Sequence, residues 1–290
     1  MTVFSFGAGQ ESIYILLRLI FDPEFYARHV VGELIVVGSD TGAEHPHTYK
    51  AVYWAMKLCY KHGIKFYWVM PKHGFHSKTW TSLSAQYVRN SSVGSAAFRQ
   101  TCTDNLKVKV VDRFVESYLA QKHNVKRHKK LAYYRNYAAT GPIRLILDFA
   151  KGEERRTSNG NKFDPVWKQK CVVRHYPLIE EGIDRAECIK YNSTRLPFPV
   201  YPSNCMICFY QSDQEILWLH RNYPNVFAEW VEMERAKLEK HQDKEKNFGV
   251  YGKITLPEKL AKAEKLYGHW SDEQLNDYKF SHGHCIKSKY

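Results

Sequence analysis

The chain has 290 residues, of which 44% are hydrophobic, and it carries a formal net charge of +13. It has no run of eighteen apolar residues and begins without a basic, apolar leader, which argues against membrane-spanning and secreted proteins. Seven cysteines, an odd number, favour a reducing compartment, so we expect a cytoplasmic protein without a membrane partner. The positive charge favours a polyanionic partner or a charged nucleotide, but a generally basic surface would also explain it.

Residues 3–70 alternate between strand-like and helix-like patterns. A β-prone run before Gly7 leads into an apolar helical stretch, and the same rhythm then repeats. The later segments are a buried-strand run at 34–38, a helical period at 47–62 and a strand at 65–70. This alternation predicts an α/β fold with a Rossmann-like parallel sheet and helices on both faces. Ligands of such sheets bind beyond the carboxyl ends of the strands.

The rest of the chain has fewer regular patterns. Residues 74–100 are polar and irregular, which suits a mobile substrate loop. The elements expected after it are an amphipathic helix at 106–121, a strand at 143–149, a segment 172–178 that turns into a helix at 185–191, and helices at 213–220 and 226–241. We therefore predict a nucleotide-binding domain over 1–200 and, packed on it, a mostly helical C-terminal region over 201–290 that contains the Cys-x-x-Cys motif.

A glycine loop, Gly7-Ala8-Gly9, joins the first strand to the first helix. A strand, a glycine loop and a helix start form a geometry that cradles phosphates, because the backbone approaches closely and its N–H groups point at the anion. The spacing matches neither the Walker A loop nor the dinucleotide fingerprint. A strand-to-helix turn that needs small residues explains the loop equally well.

Asp40-Thr41-Gly42 follows the second strand. These residue types are common in ordinary turns. At a strand's carboxyl end, however, the carboxylate can orient Mg²⁺ or a hydroxyl, and Gly42 lets a substrate approach the backbone. We therefore predict a catalytic crevice between the loops that follow the first two strands. Lys107 and Lys109 either present a cation near this crevice or lie on a solvated helix face.

Cys205-Met206-Ile207-Cys208 is the strongest local chemical signal in the sequence. Two thiolates at this spacing can share a metal or form a redox pair, although the spacing also arises by chance. Cys102 and Cys285 are candidate third and fourth ligands, with His284 as an alternative to Cys285. The dense basic run at 122–130 is either a phosphate-contacting patch or part of the solvated surface.

Several segments match, in order, the motifs of one known family. They are Phe4–Ser12 as its phosphate loop, Ser39–Glu44 as its Asp-Thr-Gly element, Arg99–Thr103 with Lys107 as its Arg-x-Cys-Thr…Lys segment, Leu147–Arg156 as a strand with an acidic…Arg signature, Tyr176–Ile189 as its Pro-Leu segment, and Ser203–Ser212 as its Cys-x-x-Cys block. In this order the sequence resembles the PP-loop ATP pyrophosphatases (adenine nucleotide alpha hydrolases), specifically the phosphoadenosine phosphosulfate (PAPS) reductase-like branch.

The resemblance implies ATP or an adenylyl-sulfate nucleotide in the crevice and often a 4Fe–4S cluster. Mg²⁺ is expected with the nucleotide, since it bridges phosphate oxygens with few protein ligands. Thiolate ligation alone also suits zinc. The implied nucleotide-binding residues are Ser5, Gly7, Ala8, Gly9, Gln10, Glu11, Ser12, Asp40, Thr41 and Gly42. The implied catalytic residues are Asp40, Arg99 and Lys107, and the implied metal ligands are Cys102, Cys205, Cys208 and Cys285.

The sequence departs from the family pattern at three places. The usual loop is Ser-Gly-Gly-Lys-Asp-Ser, and Gln10 stands where its lysine would neutralise phosphate charge. Phe209 replaces the proline after the Cys-x-x-Cys motif. The chain also lacks the Glu-Cys-Gly-Leu-His tail that carries the catalytic cysteine of sulfonucleotide reductases, which disfavours simple PAPS reduction.

The main hypothesis is an enzyme that uses ATP to adenylylate an oxygen on a nucleic acid (DNA or tRNA) or a nucleotide, releasing pyrophosphate. Sulfur, from a sulfur-donor protein, would then replace the activated oxygen. One alternative is a sulfonucleotide reductase with Cys102 or Cys285 as nucleophile. Another is a non-catalytic nucleic-acid-binding module that zinc holds together through its cysteines.

Overall fold

The computed structural model describes residues 1–98, 101–125, 141–157, 164 and 166–281. Its centre is a five-stranded parallel sheet with the order β3-β2-β1-β4-β5. The strands are β1 (Thr2–Ser5), β2 (Leu34–Ser39), β3 (Lys65–Val69), β4 (Ile143–Ile146) and β5 (Val172–His175). The predicted α/β class, with a Rossmann-like parallel sheet, is confirmed.

The central strands are buried on both faces because both are covered by helices. β1 lies between β2 and β4, and its Val3 pairs with Ile35 on one side and Leu145 on the other. All six residues of β2 are buried, which explains why this strand reads as a continuous apolar run rather than as an alternating pattern.

The helices alternate with the strands and then continue alone. They are α1 (Gln10–Phe21), α2 (Pro23–His29), α3 (Pro46–Lys61), α4 (Leu83–Asn90), α5 (Lys109–Lys122), α6 (Val166–Cys171), α7 (Pro177–Glu180), α8 (Arg185–Ser193), α9 (Asp213–Asn222), α10 (Pro224–Lys240), α11 (Leu256–Tyr267) and α12 (Asp272–Ser281). Short 3₁₀ turns occur at Pro71–His73 and Glu154–Arg156, and a π-helical turn at Asp104–Val108 leads into α5.

Helix α4 lies in the segment that the sequence pattern assigned to an irregular loop. Ser82 caps it by accepting a hydrogen bond from the Ala85 N–H. Leu83 and Tyr87, four residues apart, are its buried apolar side chains. One such pair is too short a periodic signal to distinguish a helix from a loop, so the prediction was wrong here.

Two apolar layers sandwich the sheet. On one face Phe4 and Val36 pack with side chains of α1, α3 and α8, such as Leu16, Ala55 and Cys188. On the other face Val3, Ile35 and Val37 pack with Val110 and Val115 near the start of α5. The expected helices on both faces are therefore present.

A third core joins the C-terminal helices to the middle of the chain. Trp230 of α10 and Ile216 of α9 are fully buried in it, together with Leu275 of α12. Leu83, Tyr87 and Leu106 belong to the same core, so these side chains pack with the helical C-terminal region. Within the described ranges, no helix is long and apolar enough to cross a lipid bilayer.

The strand order fixes where a ligand crevice lies. From β1 the chain builds outward through β2 to β3, then returns to the other side of β1 to form β4 and β5. The order therefore reverses between β1 and β4, and this is where open parallel sheets bind ligands. The expected crevice lay between the ends of β1 and β2, whereas the switch point brings together the ends of β1 and β4.

Candidate functional site

The loop after β1 ends in a buried helix start. Gly9 precedes α1, and within the described part of the chain no side chain caps the helix. Gln10, Glu11 and Ser12 are only 2%, 8% and 0% exposed. The N–H groups of a first helical turn have no acceptor inside their own helix, and the helix dipole makes them attractive to anions. A buried, uncapped helix start at a topological switch point is a suitable place for phosphate.

The glycines of this loop are closely packed against neighbouring segments. A Cβ on Gly7 would lie 3.2 Å from both Asp148 Oδ2 and Ser12 Oγ, and one on Gly9 would lie 3.1 Å from the Ser203 backbone nitrogen. Ala8 adopts a left-handed conformation with φ 60°, which is uncommon for a residue with a side chain. Packing against the neighbouring segments therefore explains part of the glycine pattern.

Asp148 is the carboxylate that faces the glycine loop. The Ser12 hydroxyl accepts a 2.9 Å hydrogen bond from the Gly7 N–H and donates one to Asp148 Oδ2. Desolvation raises the pKa of Asp148, while the Ser12 hydrogen bond and the charge of Arg156 oppose the rise. Asp148 is thus held at the mouth of the loop in a position where its charge is costly.

Ion pairs surround the loop on the side of α8. Glu11 pairs with Arg185, whose Nη2 also lies 3.6 Å from Glu153 Oε1. Glu153 in turn pairs with Arg156 at 2.9 Å. With Asp148 the group has three carboxylates and two guanidinium groups, so it gains from an added cation. Magnesium is bound by one or two carboxylates together with phosphate oxygens, so this residue set fits Mg²⁺ carried by a nucleotide.

The Gln10 side chain does not replace the lysine of the usual loop. Its Nε2 donates hydrogen bonds to the carbonyl oxygens of Val200, at 3.1 Å, and Phe280, at 3.2 Å. The side chain therefore ties the loop to the C-terminal region. Its contribution to a bound anion is limited to its backbone N–H.

Asp40 forms the turn that follows β2. Its Oδ1 accepts hydrogen bonds from the Gly42 N–H and the Tyr49 hydroxyl, each at 2.8 Å. Gly42 has φ 69°, and a Cβ there would lie 2.5 Å from the Ser82 Cβ, so only glycine fits without rearrangement. These contacts match the turn interpretation of Asp40-Thr41-Gly42, and they hold the Asp40 carboxylate in a fixed orientation.

Glu44 connects the predicted residues Thr41 and Lys107. Its carboxylate is 3% exposed, accepts from the Thr41 hydroxyl at 3.1 Å and pairs with Lys107 Nζ at 3.2 Å. Lys107 lies on the π-helical turn before α5, a distortion that is frequent at functional sites. Glu44 therefore partly neutralises the lysine that the sequence assigned to phosphate charge.

Residues 203–206 bridge the two loops. Glu44 and Cys205 pair as an isolated β-bridge, and the Met206 N–H donates to the Ala43 carbonyl at 2.7 Å. Cys205 Sγ lies 3.3 Å from Thr41 Oγ1. At the other end Ser203 packs against Gly9. Three motifs that are far apart in the sequence thus meet at the carboxyl end of the sheet.

The described cysteines of the predicted metal site all interact electrostatically with one tyrosine. Tyr87 is buried, and desolvation raises its pKa, with further contributions from the thiols of Cys102, Cys205 and Cys208. Cys102 and Tyr87 also line a cavity of about 200 Å³ together with Phe209. In the described residues these thiols do not all lie within the 4.8 Å that a single shared ion requires.

Some predicted residues lie outside the described residues. They are Arg99, Cys285, its alternative His284, and most of the basic run, 126–130. Their roles remain predictions from the sequence. Lys109, the second candidate cation, pairs with Asp104 and Asn105 on the surface of α5.

Comparison with known proteins gives a distant structural likeness. No protein-family model matches the chain, and no curated protein matches it. Among solved structures, the chain is similar to the U34-tRNA thiolase NcsA from Methanococcus maripaludis with its [4Fe-4S] cluster, at 13% identity and a TM-score of 0.36. The likeness covers 93% of this chain and 73% of that protein. A likeness of this size does not identify a function.

Sequence reasoning did not assign roles to Asp148, Glu44, Ser203 or Tyr87. Asp148 and Glu44 each follow a strand, so their positions at strand ends were available as a signal. Which strand ends adjoin depends on the order of the sheet, which the local pattern does not encode. For Tyr87 the sequence held no signal, because its role depends on thiols from two distant segments.

We predict that Asp148→Asn changes the free energy of unfolding more favourably at pH 7 than at pH 4, when the variant is compared with the unsubstituted protein at each pH. Because the folded-state pKa of Asp148 is raised, ionisation costs stability as the pH rises from the unfolded pKa through the folded one. Each unit of elevation corresponds to about 1.4 kcal/mol. Urea unfolding at both pH values measures the difference.

Asp22→Asn is the matched control. Hydrogen bonds, chiefly from the Phe25 N–H, lower the pKa of Asp22 from 3.8, so this substitution should instead cost stability at both pH 7 and pH 4 and lose that effect only at still lower pH. If the two variants showed the same pH dependence, the assignment of an unfavourable charge to Asp148 would be wrong.

Proposed function

We propose that the protein is a PP-loop enzyme that binds ATP and adenylylates an oxygen of a nucleic acid, to prepare it for replacement by sulfur. The observation that carries this proposal is the buried, uncapped start of α1 at the switch point, with the carboxylate of Asp148 facing it. The order of motifs along the chain supports the same family. A phosphate-binding backbone beside a carboxylate suits a nucleotide that arrives with Mg²⁺.

The chain's own residues have distinct tasks in this proposal. Bound Mg²⁺–ATP supplies the adenylyl group and pyrophosphate as the leaving group. The backbone N–H groups of Gly9 to Ser12 stabilise the negative charge that grows on the pyrophosphate. A cation beside Asp148 compensates the charge of its carboxylate and so lowers its pKa. Arg185 and Lys107, each already paired with a carboxylate, orient the phosphates rather than add uncompensated positive charge.

We predict that Gly9→Val abolishes ATP binding. The branched side chain would occupy the space between the start of α1 and Ser203, where the backbone must remain accessible to phosphate. Calorimetric titration with Mg²⁺–ATP measures the affinity, and pyrophosphate release in the presence of RNA measures the reaction. Gly182→Val, at a left-handed turn with open space around it, is the control for general destabilisation. A folded Gly9→Val protein with the original ATP affinity would contradict the site.

The cysteines are proposed to hold a 4Fe–4S cluster, with Cys285 as the fourth ligand. Cys102, Cys205 and Cys208 all act on Tyr87, and their thiolates would carry a large charge without an inorganic centre. A zinc ion would bring its thiolates to about 3.8 Å from one another, given Zn–S bonds near 2.3 Å. The described thiols are spread more widely, and a cluster in which each thiolate binds a different iron accommodates wider spacing.

Protein purified without oxygen should therefore be brown and absorb broadly in the visible region. Cys205→Ala and Cys208→Ala should remove the colour and the bound iron. Cys59→Ala, a substitution of a buried core thiol on α3, should keep both. Colourless protein whose bound zinc is lost in Cys205→Ala and Cys208→Ala would support the zinc-held module instead.

The exposed face of α3 supports a nucleic acid as the acceptor. This face carries three tyrosines, a methionine and three lysines, namely Tyr49, Lys50, Tyr53, Met56, Lys57, Tyr60 and Lys61. Tyr60 is 88% exposed and Tyr53 is 55% exposed, which is unusual for large aromatic side chains. The helix contains no acidic residue. Exposed rings among lysines can stack bases and neutralise phosphates, as in proteins that bind single strands.

The position of α3 links this face to the candidate site. The helix begins at Pro46, two residues after Glu44, and the Tyr49 hydroxyl donates to Asp40. Lys57 Nζ lies 4.4 Å from the centre of the Tyr53 ring, so cation and ring already form one unit. A single strand stacked along α3 would therefore lead towards the nucleotide loop.

We predict that the double substitution Tyr53→Ala/Tyr60→Ala weakens binding of single-stranded RNA about tenfold or more, since each stacked base contributes ~1–3 kcal/mol. ATP affinity should not change. Tyr26→Ala, a partly exposed tyrosine on α2, is the matched control. Fluorescence anisotropy with labelled RNA measures the affinity, and equal affinities for the double variant and the control would exclude this face.

A further inference from the structure

A second cluster of metal-ligating side chains lies outside the nucleotide loop. It consists of His29 at the end of α2, His175 at the end of β5, and Glu180 at the end of α7. One ligand atom from each lies within 4.8 Å of the other two, and among the described residues this is the group that meets that condition. His29 is buried, whereas the Glu180 side chain is 43% exposed.

The two imidazole rings face each other and are held from behind by carboxylates. His29 Nδ1 lies 2.8 Å from His175 Nε2. The other nitrogen of His29 lies 2.8 Å from Glu181 Oε1, and the other nitrogen of His175 lies 2.8 Å from Glu180 Oε1. Metal-binding histidines typically donate their second N–H to a carboxylate, which orients the ring.

The number of protons does not match the number of contacts. Each of the three contacts needs one proton, but two neutral imidazoles carry only two. If each ring keeps its outer proton for its carboxylate, both inner nitrogens present lone pairs to each other. A cation between them would turn this repulsion into coordination.

We propose that His29 Nδ1 and His175 Nε2 bind a divalent transition-metal ion, most suitably zinc, with Glu180 as the third ligand. Two imidazoles and a glutamate are an established zinc donor set, and a fourth position stays open to water. Tetrahedral coordination with Zn–N bonds near 2.0 Å places two nitrogens about 3.3 Å apart, so the rings must separate by roughly 0.5 Å.

Glu181 orients the His29 ring and is not a ligand of the metal. It also pairs with Arg28 at 2.8 Å and with Arg18 at 3.7 Å, so its own charge is compensated. Glu180 Oε1 contacts His175 and accepts a hydrogen bond from the Tyr176 N–H at 3.1 Å, and because the side chain is partly exposed it can turn from these partners to the metal. The ion would fasten the end of α2 to β5, an edge strand of four residues. This site shares no residue with the proposed nucleotide and cluster sites.

Zinc titration of chelator-treated, full-length protein tests the proposal by calorimetry and thermal unfolding. Compared with the unsubstituted protein, His175→Gln should lose one equivalent of bound zinc, and Glu180→Gln should bind that equivalent at least tenfold more weakly. Excess zinc should raise the unfolding midpoint of the original protein by several degrees more than that of His175→Gln, because the ion stabilises only the folded state that binds it. Glu24→Gln, on α2 beside Arg28, is the control and should bind zinc unchanged.

Cobalt separates this site from the cysteines. Cobalt bound by nitrogen and oxygen gives weak visible bands, whereas thiolate ligation adds intense near-ultraviolet charge-transfer absorption. The visible bands that disappear in His175→Gln should lack thiolate absorption. Equal zinc stoichiometry and equal thermal shifts in the original protein, His175→Gln and Glu180→Gln would overturn the proposal. Since Glu180 is partly exposed, its substitution tests the site even if His175→Gln fails to fold.

Discussion

The buried start of α1 is the constraint on which the rest of the site depends. Its backbone N–H groups need acceptors, yet the neighbouring segments pack tightly against Gly7 and Gly9. Asp148 approaches from β4 and Ser203 from the C-terminal region. The fold therefore concentrates unsatisfied donors and a costly carboxylate at one point, and a bound anion with its cation relieves both.

A second group of contacts connects the turn after β2 with Lys107 and with residues 203–206. Glu44 is shared by Thr41 and Lys107, and the backbone of 203–206 pairs with the chain around it. The Cys-x-x-Cys motif is therefore built into the same structure that shapes the nucleotide loop. These backbone contacts connect Cys205 with the glycine loop, which gives the proposed nucleotide reaction and the proposed thiolate centre a physical link.

The balance of positive and negative charge differs between the glycine loop and the surface of the molecule. The chain has a net charge of +13, but the neighbourhood of the glycine loop holds three carboxylates against two guanidinium groups. Positive charge is instead displayed on surfaces such as α3, where lysines alternate with exposed tyrosines. A polyanion would thus be attracted to the surface, while the interior site favours a phosphate group that brings its own divalent cation.

The sequence by itself determined the α/β class, because fully buried strands such as Leu34–Ser39 and the helices between them leave strong local patterns. It also identified three segments of the candidate site, which are the glycine loop, the Asp40-Thr41-Gly42 turn and the Cys-x-x-Cys motif at Cys205. Only the tertiary structure decided that β4 lies beside β1, and hence that Asp148 faces the loop. Strand order and the meeting of distant thiols at Tyr87 depend on packing between segments, which a local pattern does not encode.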